Sequence, residues 1–219
     1  MKSTIYAQVL NKIIEFYEGY SKVIRGTTQP YTYNRIKSKL PSLDYKPDVE
    51  LFRETLVEHV GSLPIVASTV YPYINDIEVD LGHALLLLSI HDIGELSTGD
   101  EITFLKDKNN PPNGISEKDS AIKLLDPYYH DLYLEVEERK TKSARFAKSI
   151  DKITPDILDL ILPAEITILR YKELMKKSPK EIVPLIKEFK HPYMLWNPFM
   201  TKFHLHLLDE IDKKLKSYY

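Results

Sequence analysis

The residues with the clearest chemical potential lie between Ser89 and Asp100, in the stretch SIHDIGELSTGD. It joins a histidine and an aspartate, His91 and Asp92, to Glu95, which lies one helical turn further on if the helix continues. Divalent transition metals accept such a mixture of imidazole nitrogen and carboxylate oxygen. The stretch therefore predicts a metal site with a proton-transferring carboxylate beside it.

Two other segments extend this set of donors. His59 follows Glu58 in an apolar periodic segment upstream, and Asp151 lies downstream in AKSIDKI. With His91 and Asp92 they give two nitrogens and at least two oxygens on three separate predicted helices. Such a set leaves positions for water and a substrate oxygen around a six-coordinate metal, whereas a structural zinc site is closed by four ligands rich in cysteine.

The order His59, His91-Asp92, Asp151 resembles the HD superfamily of metal-dependent phosphohydrolases. Within that superfamily, the pattern H-D-x-x-E-x-x-T-G-D is similar to the bacterial 5'-deoxynucleotidase group. That group also carries an arginine shortly before its first acidic-His pair, as Arg53 stands here before Glu58-His59. The resemblance covers residues 51–152 well and the two ends weakly.

The resemblance implies an all-α fold, a single HD-domain helical bundle. The whole chain, residues 1–219, would be one domain, with a motif core at about residues 51–152. The N- and C-terminal helices would pack on this core.

The resemblance also implies a role for each site residue. One divalent metal ion (Mn, Co, Fe, Ni or Mg, which the sequence does not rank) would be held by His59, His91, Asp92 and Asp151. That metal would activate a water and polarise a phosphoryl oxygen. Asp92 and Glu95 would be the catalytic residues, with Glu95 in proton transfer.

The same resemblance places substrate contacts at Arg53, Thr98 and Asp100. Arg53 would bind phosphate, and Asp100 would accept a hydrogen bond from a sugar 3'-hydroxyl. The residues themselves leave other interpretations open. Arg53 suits a plain surface salt bridge, Glu95 suits a helix end, and Thr98-Gly99-Asp100 suits a turn followed by an N-cap.

The leading functional hypothesis is a phosphohydrolase acting on a small phosphomonoester, above all a (deoxy)nucleoside 5'-monophosphate. Alternatives are an HD nucleoside triphosphohydrolase, a cyclic-nucleotide phosphodiesterase and a non-catalytic nucleotide-sensing HD module. A triphosphate would need more cations at the pocket than Arg53. Two-metal phosphodiesterases add histidines before the last aspartate, and His130 is the one histidine between Asp92 and Asp151. Where the deoxynucleotidase group has a Pro-rich turn, this chain has EITFLK from Glu101.

Charge, cysteine content and apolar runs limit the classes of partner that the protein can have. Net charge is −2, without the basic excess of a nucleic-acid binder. The absence of cysteine excludes disulfides and zinc–thiolate sites and fits a reducing compartment. The longest apolar run, residues 84–88, is too short to span a membrane, and the N-terminus lacks the apolar core of a signal peptide. We therefore expect a cytoplasmic protein with a small-molecule nucleotide substrate and no nucleic-acid or membrane partner. Fifteen tyrosines suit subunit contacts, which leaves a homodimer open.

Apolar periodicity predicts helices nearly throughout. The predicted helices cover residues 4–17, from Pro47-Asp48 through His59, 76–92, 116–125, 127–152, 155–176, 179–190 and 200–217. Prolines 127, 155, 179 and 198 fit helix starts, and Ser116 to Asp119 resembles a capping box. Residues 26–47 read as an extended loop, and residues 106–114 as a loop that is a candidate lid.

Overall fold

The computed structural model of the protein describes residues 5–30, 32, 53–101, 104 and 115–219, with the backbone alone for residues 5–10 and 17. The predicted helix start at Pro47-Asp48, most of the predicted loop 26–47 and the candidate lid at 106–114 lie outside the described residues.

The described residues are helical apart from one pair of short strands and the connecting segments, so the prediction of an all-α fold is confirmed. The strands are β1 (Ile24–Thr28) and β2 (Arg53–Thr55), which pair antiparallel. The helices are α1 (Ile5–Lys22), α2 (Leu56–Val70), α3 (Leu81–Ile90), α4 (Glu95–Thr98), α5 (Glu117–Leu124), α6 (His130–Glu138), α7 (Lys142–Ile161), α8 (Ala164–Met175), α9 (Pro179–Lys190) and α10 (Pro198–Leu215). Short 3-10 turns cover Tyr71–Tyr73, Pro127–Tyr129, His191–Tyr193 and Lys216–Tyr218.

Helix α7 lies at the centre, packed against α2, α3, α6 and α10. Its buried side carries Ala144 and Ala147, whose small side chains let neighbouring helices approach closely, followed by Ile150 and Ile153. Asp151 lies one turn after Ala147 on the same side and is 2% exposed. The helix that organises the core therefore also carries a carboxylate into it.

Helix α3 brings the central motif to α7. The run LGHALLLLSI is apolar enough for burial on several sides, and Ala84, Leu87 and Leu88 are buried. The carboxylate of Asp80 caps its first turn by accepting a hydrogen bond from the backbone of His83 at 2.8 Å. The helix ends immediately before His91-Asp92, so the two side chains are presented at its C-terminal end.

Several of the predicted boundaries are wrong. Residues 26–28, predicted as loop, belong to β1, helix α1 continues to Lys22 and not to residue 17, and α3 begins at Leu81 and not at residue 76. Three further differences have a local cause. Residues 53–55 form a strand, because Thr55 and Glu58 make a capping box that starts α2 at Leu56. The predicted helix 127–152 is divided after Glu138, where Arg139 adopts a left-handed conformation with φ of 52°. Pro155, expected at a helix start, lies inside α7 because Thr141 caps that helix much earlier.

Other boundaries agree with the prediction. Pro179 and Pro198 are the first residues of α9 and α10, and Pro127 begins a 3-10 turn. Ser116 caps α5, accepting a hydrogen bond from the backbone of Asp119 at 3.0 Å. Among the described helices, none combines the length and the apolar character needed to cross a lipid bilayer.

Gly94 fixes the approach of α5 to the central motif. A Cβ at this position would overlap the backbone carbonyl of Glu117. Ser120 donates a hydrogen bond from its hydroxyl to the carbonyl oxygen of Gly94 at 2.9 Å. The turn that carries His91 to Glu95 is thus held against the start of α5 by backbone contact.

Replacing Gly94 by alanine is therefore expected to lower the free energy of unfolding by about 1–3 kcal/mol, since two backbones must separate. Gly61 is the matched control. It is exposed inside α2, with open space around its Cα, so Gly61→Ala should stabilise the helix by about 0.5–1 kcal/mol. Urea denaturation of both variants measures the difference, and equal stabilities would contradict the close approach at Gly94.

Candidate metal centre and active site

Four side chains from three parts of the chain direct donor atoms at a common centre. His59 comes from α2, His91 and Asp92 follow α3, and Asp151 comes from α7. One donor atom from each lies within 4.8 Å of all the others. His91 Nε2 is 3.0 Å from Asp92 Oδ2, and His59 Nε2 is 3.3 Å from Asp151 Oδ1. The structure brings together all four residues that the sequence predicts as ligands.

Each imidazole is turned so that Nε2 faces this centre. His91 Nδ1 lies 2.8 Å from the carbonyl oxygen of Leu88, which makes Nδ1 the protonated nitrogen. His59 Nδ1 is 3.5 Å from Oε2 of the fully buried Glu54. The hydrogen bond to Leu88 fixes the tautomer of His91, as outer partners do for metal-binding histidines. The buried Nε2 of His91 has no hydrogen-bond partner, so a metal ion fits as its missing neighbour.

The electrostatics of the centre favour a cation. Burial alone would lower the pKa of His91, but the carboxylates of Asp92 and Asp151 outweigh it and raise that pKa to about 10. Burial would raise the pKa of Asp151, but Lys152 and the two histidines hold it well below its usual range. The pKa of Asp92 is likewise low: burial raises it, and His91 and Arg25 more than compensate. The donor set and its charge both fit a divalent metal ion.

Arg25 is a site residue that the sequence analysis missed. Its Nη1 lies 2.8 Å from Asp92 Oδ2 and 2.8 Å from Glu95 Oε2, so one guanidinium bridges the two carboxylates. Arg25 is 9% exposed and lies in β1. The available signal was the run VIRGTT, in which β-branched residues surround one arginine and favour a strand.

Glu95 lies beside the metal cluster, as the motif spacing predicts, and is 3% exposed. Burial, followed by the charge of Asp92, raises its pKa well above the usual range, although Arg25 opposes the change. The raised pKa and the position of Glu95 suit it to carry a proton beside the four-residue cluster.

The three predicted substrate contacts occupy different positions. Arg53 lies against β1, where Nε donates to the carbonyl oxygen of Arg25 at 2.6 Å and Nη2 lies 3.4 Å from that of Ile24. Asp100 Oδ2 accepts a hydrogen bond from the backbone of Gly26 at 2.7 Å. The Thr98 hydroxyl lies 3.1 Å from the carbonyl oxygen of Gly99 and 3.3 Å from that of Gly94. Arg53 and Asp100 thus hold the strand that carries Arg25.

A cavity of about 50 Å³ adjoins the cluster at Asp151. It has cations on several sides and an apolar part made of aromatic, methionine and proline side chains. The lining residues are Arg25, Gly26, Thr27, Asp100, Phe104, Asp151, Lys152, Pro155, Arg170, Tyr171, Met175 and Lys190. Neither Arg53 nor Thr98 is part of this lining. The cations Lys152, Arg170 and Lys190 were not among the predicted site residues, since no motif contains them.

Two histidines outside the motif take other partners. His83 Nε2 lies 2.9 Å from the carboxylate of Glu135, away from the cluster. His130 Nε2 lies 3.3 Å from the carbonyl oxygen of Leu125. Among the described residues, the buried group that could hold a metal ion consists of His59, His91, Asp92 and Asp151.

A family model described as an HD domain matches residues 50–183, more than half of the chain. The chain belongs to the HD domain family. The expected membership of the HD superfamily is thereby confirmed, while the 5'-deoxynucleotidase group is a finer hypothesis.

A solved structure has the same fold as this HD domain protein. It is a predicted metal-dependent phosphohydrolase from Magnetospirillum magnetotacticum MS-1, with a TM-score of 0.63 and 20% sequence identity. The alignment covers 95% of this chain and 96% of that chain. No curated protein matches the sequence.

We expect the protein to bind a single divalent metal ion per chain through the buried cluster. His59→Ala should abolish binding, because a neutral nitrogen donor is lost from a site of four. His206→Ala is the control: His206 is exposed and lies near Asp209 and the half-buried Glu210, away from the buried cluster. Metal analysis after incubation with Mn²⁺ or Co²⁺ measures the metal content of each variant. In addition, a metal concentration of about a hundred times Kd should raise the free energy of unfolding of the parent by about 2.7 kcal/mol. Equal metal content in the two variants would place the site elsewhere.

Proposed function

We propose that this HD domain protein is a metal-dependent phosphohydrolase that removes phosphate from a small phosphomonoester, a (deoxy)nucleoside 5'-monophosphate in the first instance. The observation that carries the proposal is the position of Glu95 and Arg25 beside the four-residue cluster. An acid, a cation and a set of metal ligands share one buried centre that opens to a cavity. These three components suit the hydrolysis of a phosphate ester.

The metal would be held by His59, His91, Asp92 and Asp151. A divalent ion bound there supplies Lewis acidity toward water and a phosphoryl oxygen. Lys152 Nζ lies 2.8 Å from Asp151 Oδ2 and leaves Oδ1 facing the histidines. The hydrogen bond from His91 Nδ1 to the carbonyl oxygen of Leu88 would orient that ring toward the metal.

Glu95 would handle the proton of the reaction. The oxygen of water bonds to phosphorus, the ester P–O bond breaks, and the leaving oxygen needs a proton. The carboxyl group of Glu95, whose pKa is raised by burial and by Asp92, would donate it. A proton from the attacking water then restores the carboxyl group of Glu95. The hydroxyl group of that water ends on the phosphate, and a proton ends on the alcohol.

Arg25 would stabilise the charge that builds up on the phosphoryl oxygens. Its guanidinium is planar, always charged and already placed between Asp92 and Glu95. In this proposal Arg25 takes the phosphate-binding role that the sequence suggested for Arg53, while Arg53 and Asp100 position β1. A preorganised cation costs no rearrangement in the transition state.

A screen of phosphate esters in the presence of Mn²⁺, Co²⁺ or Mg²⁺ tests the proposal. Nucleoside 5'-monophosphates should release inorganic phosphate, whereas cyclic nucleotides should not, because their phosphodiester lacks the doubly charged terminal group. Release from cyclic nucleotides alone, or from no ester with any of the metals, would contradict the proposed reaction.

Glu95→Gln separates proton transfer from metal binding. The amide keeps the size of the side chain but donates no proton, so kcat should fall about 10²–10⁴-fold. Metal content should stay at the parental level, because Glu95 is not among the four ligands. Asp92→Asn is the matched comparison and should lower metal content together with activity. Loss of metal from Glu95→Gln would assign this residue to the ligand set.

A further inference from the structure

The wall of the cavity away from the metal cluster contains two deeply buried cations. Arg170 of α8 is 3% exposed and Lys190 of α9 is 5% exposed. Both line the cavity that begins at Asp151. Cations are seldom buried to this degree without carboxylate or ligand partners, so their partners decide what they do.

Each of the two cations has one carboxylate partner. Arg170 Nη2 lies 2.6 Å from Asp159 Oδ2, and Lys190 Nζ lies 2.5 Å from Asp156 Oδ1. Nε and Nη1 of Arg170 have no hydrogen-bond partner. An arginine that served only its ion pair would leave buried donors unsatisfied, which is costly. The unused nitrogens fit an anion that arrives in the cavity.

Lys152 connects this wall to the metal centre. It follows Asp151 directly, lines the same cavity and keeps 17% of its side chain exposed. Together with Arg170 and Lys190 it places three cations, each beside one carboxylate, in the lining of the cavity next to Asp151. Phe104 and Met175 give the lining an apolar part, where the Phe104 ring lies 5.7 Å from Lys190 Nζ, and this part suits a base or sugar face.

The spacing along α7 separates the two parts of the cavity. Asp151, Pro155 and Asp159 lie on successive turns, and each turn rises about 5.4 Å. The carboxylate that holds Arg170 is thus about two turns from the metal ligand. Adjacent phosphates of an anhydride share a bridging oxygen and stay close together, whereas a phosphate across a sugar reaches further.

We propose that Lys152, Arg170 and Lys190 form a second anion subsite, which binds a second phosphoryl group of the substrate. The inference rests on the proposed function, because the first phosphoryl group is the one that is hydrolysed at the metal centre. The substrate class is a phosphomonoester with a second phosphate across the sugar, as in a nucleoside 3',5'-bisphosphate. A nucleoside 5'-diphosphate is another source of the same chemistry.

The test compares kcat/KM for a 2'-deoxynucleoside 5'-monophosphate, the matching 3',5'-bisphosphate and the matching 5'-diphosphate. The parent protein should prefer the bisphosphate over the monophosphate about ten- to a hundredfold, the effect of a charge-assisted hydrogen bond. A preference for the 5'-diphosphate instead would support the subsite. It would show that the second phosphate is the one joined to the first through the 5'-anhydride. A preference for the monophosphate would overturn the proposal. That result is expected if the carboxylate of Asp100 accepts a hydrogen bond from a free 3'-hydroxyl.

Substitutions test whether the preference for the bisphosphate depends on Arg170. Arg170→Leu alone leaves Asp159 buried without its partner, so the double variant Arg170→Leu/Asp159→Leu removes both charges together. The bisphosphate preference should be lost in the double variant and kept in Arg145→Leu, which changes an exposed arginine of α7. A preference that survives in the double variant would overturn the role of Arg170.

Binding separates this inference from the proposed function. If the parent hydrolyses none of the three nucleotides, the assignment of a nucleotide as substrate of the phosphohydrolase fails. Calorimetry with the metal-loaded protein then still compares affinity for the bisphosphate and the monophosphate. Tighter binding of the bisphosphate that depends on Arg170 would support the subsite, and equal affinities would overturn it.

Discussion

The burial of the Asp151 carboxylate in the middle of α7 is the constraint on which the structure depends. A buried charge without partners costs several kcal/mol, far more than one helix boundary contributes to stability. His59, His91 and Lys152 all approach this carboxylate, and they come from α2, from the end of α3 and from α7 itself. The packing of α2 and α3 on α7 thus satisfies the same charge that equips the centre to hold a metal ion.

A second set of contacts depends on the first. Asp92 belongs to the cluster and also pairs with Arg25, which reaches it from β1. That strand is held by Arg53 through its carbonyl groups and by Asp100 through the backbone of Gly26. The small sheet of an otherwise helical protein therefore positions one guanidinium. Glu95, which shares that guanidinium, is kept close to the metal ligands without being one of them.

The fold class could be predicted because helix formation is encoded locally. Apolar periodicity and the helix starts at Pro179 and Pro198 are properties of neighbouring residues, and the structure agrees with them. The errors arose where a distant contact or a competing local motif decided the boundary. Residues 53–55 form a strand because β1 is available to pair with them. Helix α7 continues through Pro155 because it is packed on several neighbouring helices. The free energy of that packing offsets the cost of the backbone hydrogen bond that proline cannot make.

By itself the sequence determined the family, the helical class and the residues of the central motif, since these are short patterns with fixed spacing. His59, His91, Asp92, Asp151 and Glu95 could be named before any coordinate was known. Tertiary structure alone decided that Arg25 bridges Asp92 and Glu95, that Arg53 and Asp100 hold a strand, and that Arg170 and Lys190 line the cavity. These contacts join residues that are far apart in the chain, as Arg25 and Asp92 are at a separation of 67 positions. Local spacing carries no information about such pairs, because their distance is set by how the helices pack.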